Sequence, residues 1–71
     1  MSGTQALTDS QQREWLAWLR TGECGYDAQL GFCDMKRRFQ LPASDQRLLH
    51  RLRENGVINV NEQTGSVEVV T

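Results

Sequence analysis

Few side chains in this sequence could carry out chemistry: two cysteines, Cys24 and Cys33, and a single histidine, His50. A zinc site needs four ligands, and the spacing of these residues matches neither a zinc ribbon nor a zinc finger. No second histidine exists, and no carboxylate is obviously placed to orient His50 as a base. Phosphate loops, nucleophile elbows and paired carboxylates do not occur either. We therefore expect no enzyme activity, no metal and no cofactor.

The length of the chain limits it to one small domain, because 71 residues build a core from few large side chains. No apolar run approaches the ~18 residues that a membrane-spanning helix needs. The first residues lack the basic start and the apolar segment of a signal peptide. These features indicate a cytoplasmic protein with no membrane partner. A disulfide between Cys24 and Cys33 would suit a secreted protein, so two reduced cysteines, one or both partly buried, are the expectation.

The charges are unevenly distributed although the net charge is only −1. Residues 35–53 hold six cations and one carboxylate, a balance of +5, whereas residues 1–34 and 54–71 each have a balance of −3. A basic middle between two acidic ends is the clearest electrostatic indication of a partner.

Two parts of the chain have strong local signals. Thr8 and Gln11 form a capping-box pattern at the start of a predicted first helix, which Gly22 ends. Near the C-terminus, apolar residues alternate on either side of the segment NEQTG, residues 61–65, which predicts a β-hairpin.

The middle of the chain is predicted to form two more helices. Ala28, Phe32, Met35 and Phe39 recur at spacings of four, three and four, which predicts a second helix capped by Asp27, with a later start near Asp34 as the alternative. Phe32, Met35 and Phe39 are also expected to belong to the core. A third helix then begins between residues 42 and 44, after the break that proline causes, and it ends at residues 55–56. Its predicted buried stripe consists of Leu48, Leu49 and Leu52.

The order of helix, helix, turn, helix and hairpin resembles the winged helix-turn-helix family. The residues that carry the resemblance are MKRRFQLPASDQRLLHRLRENGVINV, residues 35–60, and above all the segment LRENGVI that leads into the hairpin. The resemblance implies a mainly α fold with a C-terminal β-hairpin, a three-helix winged helix-turn-helix in a single small domain. Residues 8–71 would form this domain, and residues 1–7 a flexible N-terminal arm.

The resemblance also implies a DNA-binding regulatory protein whose third helix, about residues 43–55, enters the major groove of double-stranded DNA. With the leucine stripe inward, Gln46, Arg47 and His50 face outward, and Gln and Arg have the forked geometry that reads base edges. Cations at the end of the second helix would meet phosphates. The expected nucleic-acid-binding residues are Lys36, Arg37, Arg38, Ser44, Gln46, Arg47, His50 and Arg51.

An alternative keeps the same fold but replaces DNA with an acidic protein surface. The predicted C-terminal hairpin, which would be the wing of this fold, carries Glu62 and Glu68 and no cation, so it would repel phosphates. A phage-like small protein that binds and modulates a host machine, such as RNA polymerase or a nuclease complex, would suit a chain of this size. A third possibility is that the cationic side chains of the third helix bind no partner. They would then be solvated, or Arg47 and Arg51 would pair with acids of the first helix. Either version is expected to be a monomer or a weak homodimer.

Overall fold

The computed structural model describes residues 8–70, so the arm predicted for residues 1–7 lies outside the described residues, as does residue 71. The described elements, in chain order, are α1 (Asp9–Arg20), β1 (Cys24–Asp27), β2 (Gly31–Asp34), β3 (Phe39–Gln40), α2 (Ala43–Glu54), β4 (Ile58–Asn61) and β5 (Ser66–Val69). Two helices and five strands therefore occupy the part of the chain for which the sequence predicted three helices and one hairpin.

Helix α1 forms as the sequence predicted. The Thr8 hydroxyl accepts the N–H of Gln11, and the Gln11 side chain accepts the N–H of Thr8, which confirms the capping box. Trp15 and Trp18 are partly buried against the core and pack edge to face, with 5.8 Å between ring centroids. The helix ends just before Gly22, whose φ of 82° is a left-handed conformation that glycine adopts easily.

The predicted second helix is wrong, because residues 24–40 form β1, β2 and β3 instead. Asp27 does not cap a helix: its carboxylate accepts the N–H groups of Gln29 and Leu30 and so reverses the chain. Gly31 follows with a φ of 81°, which interrupts any helix at that point. The apparent helical spacing had no common buried face, since Phe32 is fully buried while its three partners in the pattern are all exposed.

One five-residue turn recurs at all three hairpins, at residues 27–31, 34–38 and 61–65. Its first residue is aspartate or asparagine, whose side-chain oxygen accepts the N–H groups of the third and fourth residues at 2.7–3.2 Å. Its fifth residue has a positive φ. Because this turn satisfies its own backbone N–H groups, it reverses the chain without help from the rest of the fold.

The strands form one antiparallel sheet in the order β3-β2-β1-β5-β4. Tyr26 on β1 lies opposite Phe32 on β2, and Val60 on β4 lies opposite Val67 on β5. The β1–β2 hairpin and the β4–β5 hairpin meet where β1 pairs with β5, at Gly25 and Ser66. The predicted third helix and C-terminal hairpin are thus both present, as α2 and β4–β5, but the hairpin belongs to a larger sheet.

Alternation along the strands gives the sheet one apolar face and one polar face. The apolar face packs against both helices and forms the core, whose buried members are Leu19, Cys24, Phe32, Leu41, Leu49, Leu52, Ile58 and Val67. The opposite face carries Asn59, Asn61, Ser66 and Glu68 from the β4–β5 hairpin. The described residues therefore form a two-layer α+β domain.

This architecture overturns the winged helix-turn-helix fold that the sequence predicted. A helix-turn-helix needs a helix directly before α2, and that position holds the β2–β3 hairpin. Met35 and Phe39, which were predicted for the core, are 58% and 48% exposed. The core instead includes Leu41 and Val67, together with Cys24.

Replacing Gly25 with alanine tests the arrangement of the strands. An added Cβ would lie 2.6 Å from the Met35 Cγ and 3.3 Å from the Gly65 carbonyl oxygen, so a neighbour has to move. We expect Gly25→Ala to lower the free energy of unfolding by about 1–3 kcal/mol, measured by denaturant titration. Adding Met35→Ala should recover most of this loss, because it removes the closest contact. A single variant as stable as the parent protein would contradict the position of Met35 across β1.

Candidate functional site

The predicted site residues separate into two groups in the structure. Lys36, Arg37 and Arg38 lie in the turn after the end of β2, whereas the other five lie on α2. Helix α2 contacts β2 near the start of the strand, where the Gln46 side chain bonds to the backbone of Phe32. The three cations of the turn lie beyond the other end of this strand. The structure therefore does not bring the eight residues together in one surface.

The basic group is held by the turn at residues 34–38. The buried Asp34 carboxylate accepts the N–H groups of Lys36 and Arg37 at 3.1 and 3.0 Å, and its carbonyl accepts the N–H of Arg38 at 2.7 Å. These bonds fix the backbone of the turn, while the three cationic residues are themselves exposed. We call residues 36–38 the basic turn.

Arg38 has a backbone conformation that arginine rarely adopts. Its φ of 60° lies in the left-handed region, and it is the only positive φ of a non-glycine residue in the described part of the chain. The equivalent positions of the other two turns are Gly31 and Gly65. An L-residue pays roughly 1–2 kcal/mol for this conformation, and strain of this kind is a reason to look for function.

None of the three cationic side chains of the basic turn forms an ion pair within the described residues. Within residues 8–70 the one ion pair joins Arg53 to Glu62, with 2.8 Å between the guanidinium nitrogen and the carboxylate oxygen. The pairing of Arg47 and Arg51 with acids of α1, considered from the sequence, does not occur among these residues. The cations of the turn are thus available to an external anion.

Two exposed apolar side chains flank the basic turn. Met35 precedes it and lies across Gly25, on the polar face of the sheet. Phe39 follows it and pairs with Asp34 across the β2–β3 hairpin, on the face that carries the helices. The spacing of apolar residues predicted both for the core, so sequence reasoning missed them as part of this surface. Asp27 followed four residues later by Gly31, with Asp34 at the start of the next turn, was the available signal.

Gln46 serves the fold rather than an external ligand. Its Oε1 accepts the N–H of Phe32 at 2.8 Å, and its Nε2 donates to the Phe32 carbonyl at 2.6 Å and to the Leu41 carbonyl at 3.3 Å. The side chain thus completes the hydrogen bonding of β2 beyond the end of the two-residue strand β3. The sequence predicted an outward, base-reading Gln46, and this orientation is wrong.

His50 and Arg53 lie beside Gln46 on the same side of α2 and contact aromatic rings. The His50 ring packs edge to face on Phe32, with 5.1 Å between centroids. Arg53 lies over the Tyr26 ring at 5.7 Å, and its hydrogen bond to Glu62 raises the pKa of its guanidinium. These contacts bind α2 to the sheet, although His50 itself remains exposed.

The remaining predicted residues of α2 are exposed and unpaired within the described residues. Ser44, Arg47 and Arg51 form no side-chain hydrogen bond or ion pair in residues 8–70. They lie on the side of the helix that faces away from the sheet, because Leu49 and Leu52 are the buried residues.

A shallow depression of about 430 Å³ lies on the polar side of the β4–β5 hairpin. Amide, hydroxyl and carboxylate side chains line it, including Asn59, Ser66 and Glu68. It also holds Glu62, which is paired with Arg53, so Glu68 is the carboxylate of this surface without an ion-pair partner in the described residues.

The two thiols are buried and lie on opposite faces of the sheet. Cys24 pairs with Asp34, and the next pair along the strands joins Gly25 to Cys33. Burial, with smaller contributions from Cys33 and Asp34, raises the pKa of the Cys24 thiol to about 12. Burial also raises the pKa of the Cys33 thiol. The expectation of two free cysteines is confirmed, and neither thiol is activated as a nucleophile.

Two kinds of site are not found in the described residues. Residues 8–70 contain no group of three or more His, Cys, Asp or Glu side chains arranged to hold a metal ion. Neither α1 nor α2 is long and apolar enough to cross a membrane.

Comparison with known proteins gives no match: no family model matches the chain, and no curated protein and no solved structure is significantly similar to it.

Replacing Gln46 with glutamate tests its role in the fold. The new carboxylate would lack the Nε2 donor and would face the carbonyls of Phe32 and Leu41, so we expect a loss of about 2–4 kcal/mol in unfolding free energy at pH 7. The carbonyls raise the folded pKa of this carboxyl above its unfolded value of about 4.3. The loss should therefore be small below pH 4 and grow as the pH rises toward the folded pKa.

Gln40→Glu is the matched control, because the Gln40 side chain is exposed and makes a single hydrogen bond, to the Leu30 carbonyl. It should cost less than about 1 kcal/mol. Equal losses in the two variants would contradict the role of Gln46.

Thiol labelling tests the environment of Cys24. At pH 8 its thiolate fraction is about a thousandfold smaller than that of an unperturbed thiol. Cys33→Ala should therefore react with an aromatic disulfide reagent very slowly in the folded state and at the ordinary rate in denaturant. Rapid labelling of the folded variant would contradict the burial of Cys24.

Proposed function

We propose that this chain is a small cytoplasmic nucleic-acid-binding protein, a monomer or a weak homodimer, that holds phosphate groups with the basic turn. Lys36, Arg37 and Arg38 supply the contacts, and the target class is DNA, as the sequence predicted. The mode of binding differs from that of a helix-turn-helix protein, because a hairpin turn presents the cations.

The observation that supports this proposal most strongly is the strained arginine at position 38. The chain uses glycine at this position in two of its three equivalent turns, at no steric cost. The third turn keeps arginine at a φ of 60°, directly after two further cations. A residue that lowers stability at an exposed position is best explained by what it contacts.

The chemistry of the basic turn suits phosphate. Guanidinium groups bind phosphate oxygens with two parallel hydrogen bonds, and an ammonium group adds a mobile point charge. None of these three side chains forms an ion pair with a carboxylate within the described residues. Three such contacts correspond to weak, sequence-independent binding, with a Kd of about 10⁻⁴–10⁻⁶ M at physiological salt.

Charge elsewhere favours one orientation of the ligand. Glu68 lies on the outer face of the β4–β5 hairpin and has no ion-pair partner in the described residues, so a polyanion would approach from the β2–β3 side. The exposed Arg47 and Arg51 of α2 can contact phosphates of a longer ligand. Gln46 does not take part, because its amide is already bound to β2.

An acidic protein surface is the second candidate for the same basic turn. The exposed Met35 and Phe39 favour it, because protein interfaces combine apolar contacts with arginine. A partner of this kind, such as a subunit of a host polymerase or nuclease, would bury both side chains together with the cations.

Arg38→Gly separates the function of this residue from its effect on stability. Glycine relieves the left-handed strain but adds entropy to the unfolded chain, so we expect the unfolding free energy to stay the same or rise by up to about 1 kcal/mol. Binding to a labelled 20-base-pair duplex at low salt should weaken about 3- to 10-fold, measured by fluorescence anisotropy. The slope of log K against log salt should fall by about 0.9.

Arg13→Ala is the matched control, since it removes an exposed cation from α1. It should leave affinity and salt slope nearly unchanged. If it weakens binding as much as Arg38→Gly does, general charge and not the basic turn governs binding. No binding to any nucleic acid at low salt would overturn the proposal and leave the acidic protein partner.

A further inference from the structure

Phe39 differs from every other aromatic side chain in the chain. The remaining four aromatic residues are buried or partly buried and pack against the core: Trp15, Trp18, Tyr26 and Phe32. Phe39 is 48% exposed and directly follows Arg38 at the end of the basic turn. An aromatic ring beside three unpaired cations is therefore the most unusual apolar group on this surface.

The position of Phe39 in the sheet leaves its ring accessible. Strand β3 consists of two residues at the edge of the sheet, and it pairs only with β2. The neighbouring chain after β3 turns inward at the buried Leu41, so the ring lies at the rim of the domain. Nothing in the described residues covers this edge of the sheet beyond β3.

An exposed ring next to phosphate-binding cations matches the chemistry of a single strand. Proteins that bind single-stranded nucleic acids pair cations for the backbone with aromatic rings on which bases stack. In a duplex the faces of the bases are stacked on one another and are closed to such a ring. Cations alone would suit either form, whereas Phe39 adds a contact that only unpaired bases can accept.

From this we infer that the preferred ligand of the basic turn is single-stranded nucleic acid, and that Phe39 is the residue on which a base stacks. This inference rests on the proposed function and deepens it, since it names the class of nucleic acid. Lys36, Arg37 and Arg38 hold successive phosphates, and the base of an adjacent nucleotide lies against the Phe39 ring.

The test compares three fluorescein-labelled ligands of equal length by anisotropy at low salt: a 20-nucleotide oligo-dT, a fully abasic strand with the same backbone, and a duplex. The parent protein should bind oligo-dT more tightly than the other two. Phe39→Ala should weaken oligo-dT binding about 5- to 100-fold, the range of one base–aromatic stack, and leave the abasic strand unaffected. Phe39→Trp should retain the affinity, whereas Phe39→Leu should lose it.

Leu30→Ala is the matched control, because Leu30 is 50% exposed but lies in the turn before β2, away from the basic turn. It should bind all three ligands as the parent does. Circular dichroism of each variant checks that it is folded.

Each other outcome has a distinct meaning. If all three ligands bind and Phe39→Ala matches the parent on each of them, the stacking inference is overturned and the proposed phosphate binding stands. If none binds, the proposed function fails and the inference fails with it. If Phe39→Ala instead abolishes co-sedimentation with anionic phosphatidylserine vesicles while no strand is bound, the surface serves a membrane and both proposals are overturned.

Discussion

The structure depends on one small constraint, the hydrogen bonding of an aspartate or asparagine oxygen to two backbone N–H groups at each chain reversal. This interaction occurs at Asp27, Asp34 and Asn61. It satisfies donors that a reversal would otherwise leave without partners, and it ends in a residue with positive φ. Two hydrogen bonds to Asp27 lower the pKa of its carboxyl, as expected when the charged form is the acceptor. Because the same device makes all three hairpins, the strands are antiparallel and short.

The same turn also forms the surface for which a function is proposed. A turn that supplies its own hydrogen bonds has no need of particular side chains at its second, third and fourth positions, so these can vary freely. In the β2–β3 turn they include Lys36 and Arg37, and the fifth position adds Arg38 where the other turns have glycine. The turn thus holds three consecutive cations on a fixed backbone. The cost is local, since the left-handed strain falls on one exposed residue and not on the core.

The sequence predicted those elements whose signals are local. The capping box of α1, the asparagine and glycine that end α2, and the alternating residues of the β4–β5 hairpin each act within a few positions, and each is confirmed. The prediction for the middle of the chain was wrong because two local patterns compete there. A helical spacing of apolar residues predicts a helix there, whereas an aspartate followed four residues later by glycine, at Asp27 and Gly31, indicates a turn. The turn forms because the aspartate accepts backbone hydrogen bonds, whereas the helically spaced apolar residues share no buried face that would stabilise a helix.

The orientation of α2 could not be read from its leucines alone. Leu49 and Leu52 are buried and Leu48 only partly, so the helix is rotated toward Leu49 relative to the centre of the three-leucine stripe. Gln46 lies three residues before Leu49, about 60° away around the helix, and therefore reaches the sheet edge. Which side of α2 meets β2 is a long-range property. It depends on a sheet that the predicted second helix had excluded.

The separation of charge in this fold explains why a net charge of −1 says little about its partner. The sheet places Glu62 and Glu68 on the β4–β5 hairpin at one edge and the basic turn on the β2–β3 hairpin at the other. With a Debye length of about 8 Å at physiological salt, the carboxylates at one edge are largely screened from an anion bound at the other. A phosphate at the basic turn therefore experiences local cations, not the overall charge. The same separation would limit the proposed site, because three cations and one ring can contact only a few nucleotides; in this proposal, further contacts to a longer ligand would come from Arg47 and Arg51 on the outer side of α2.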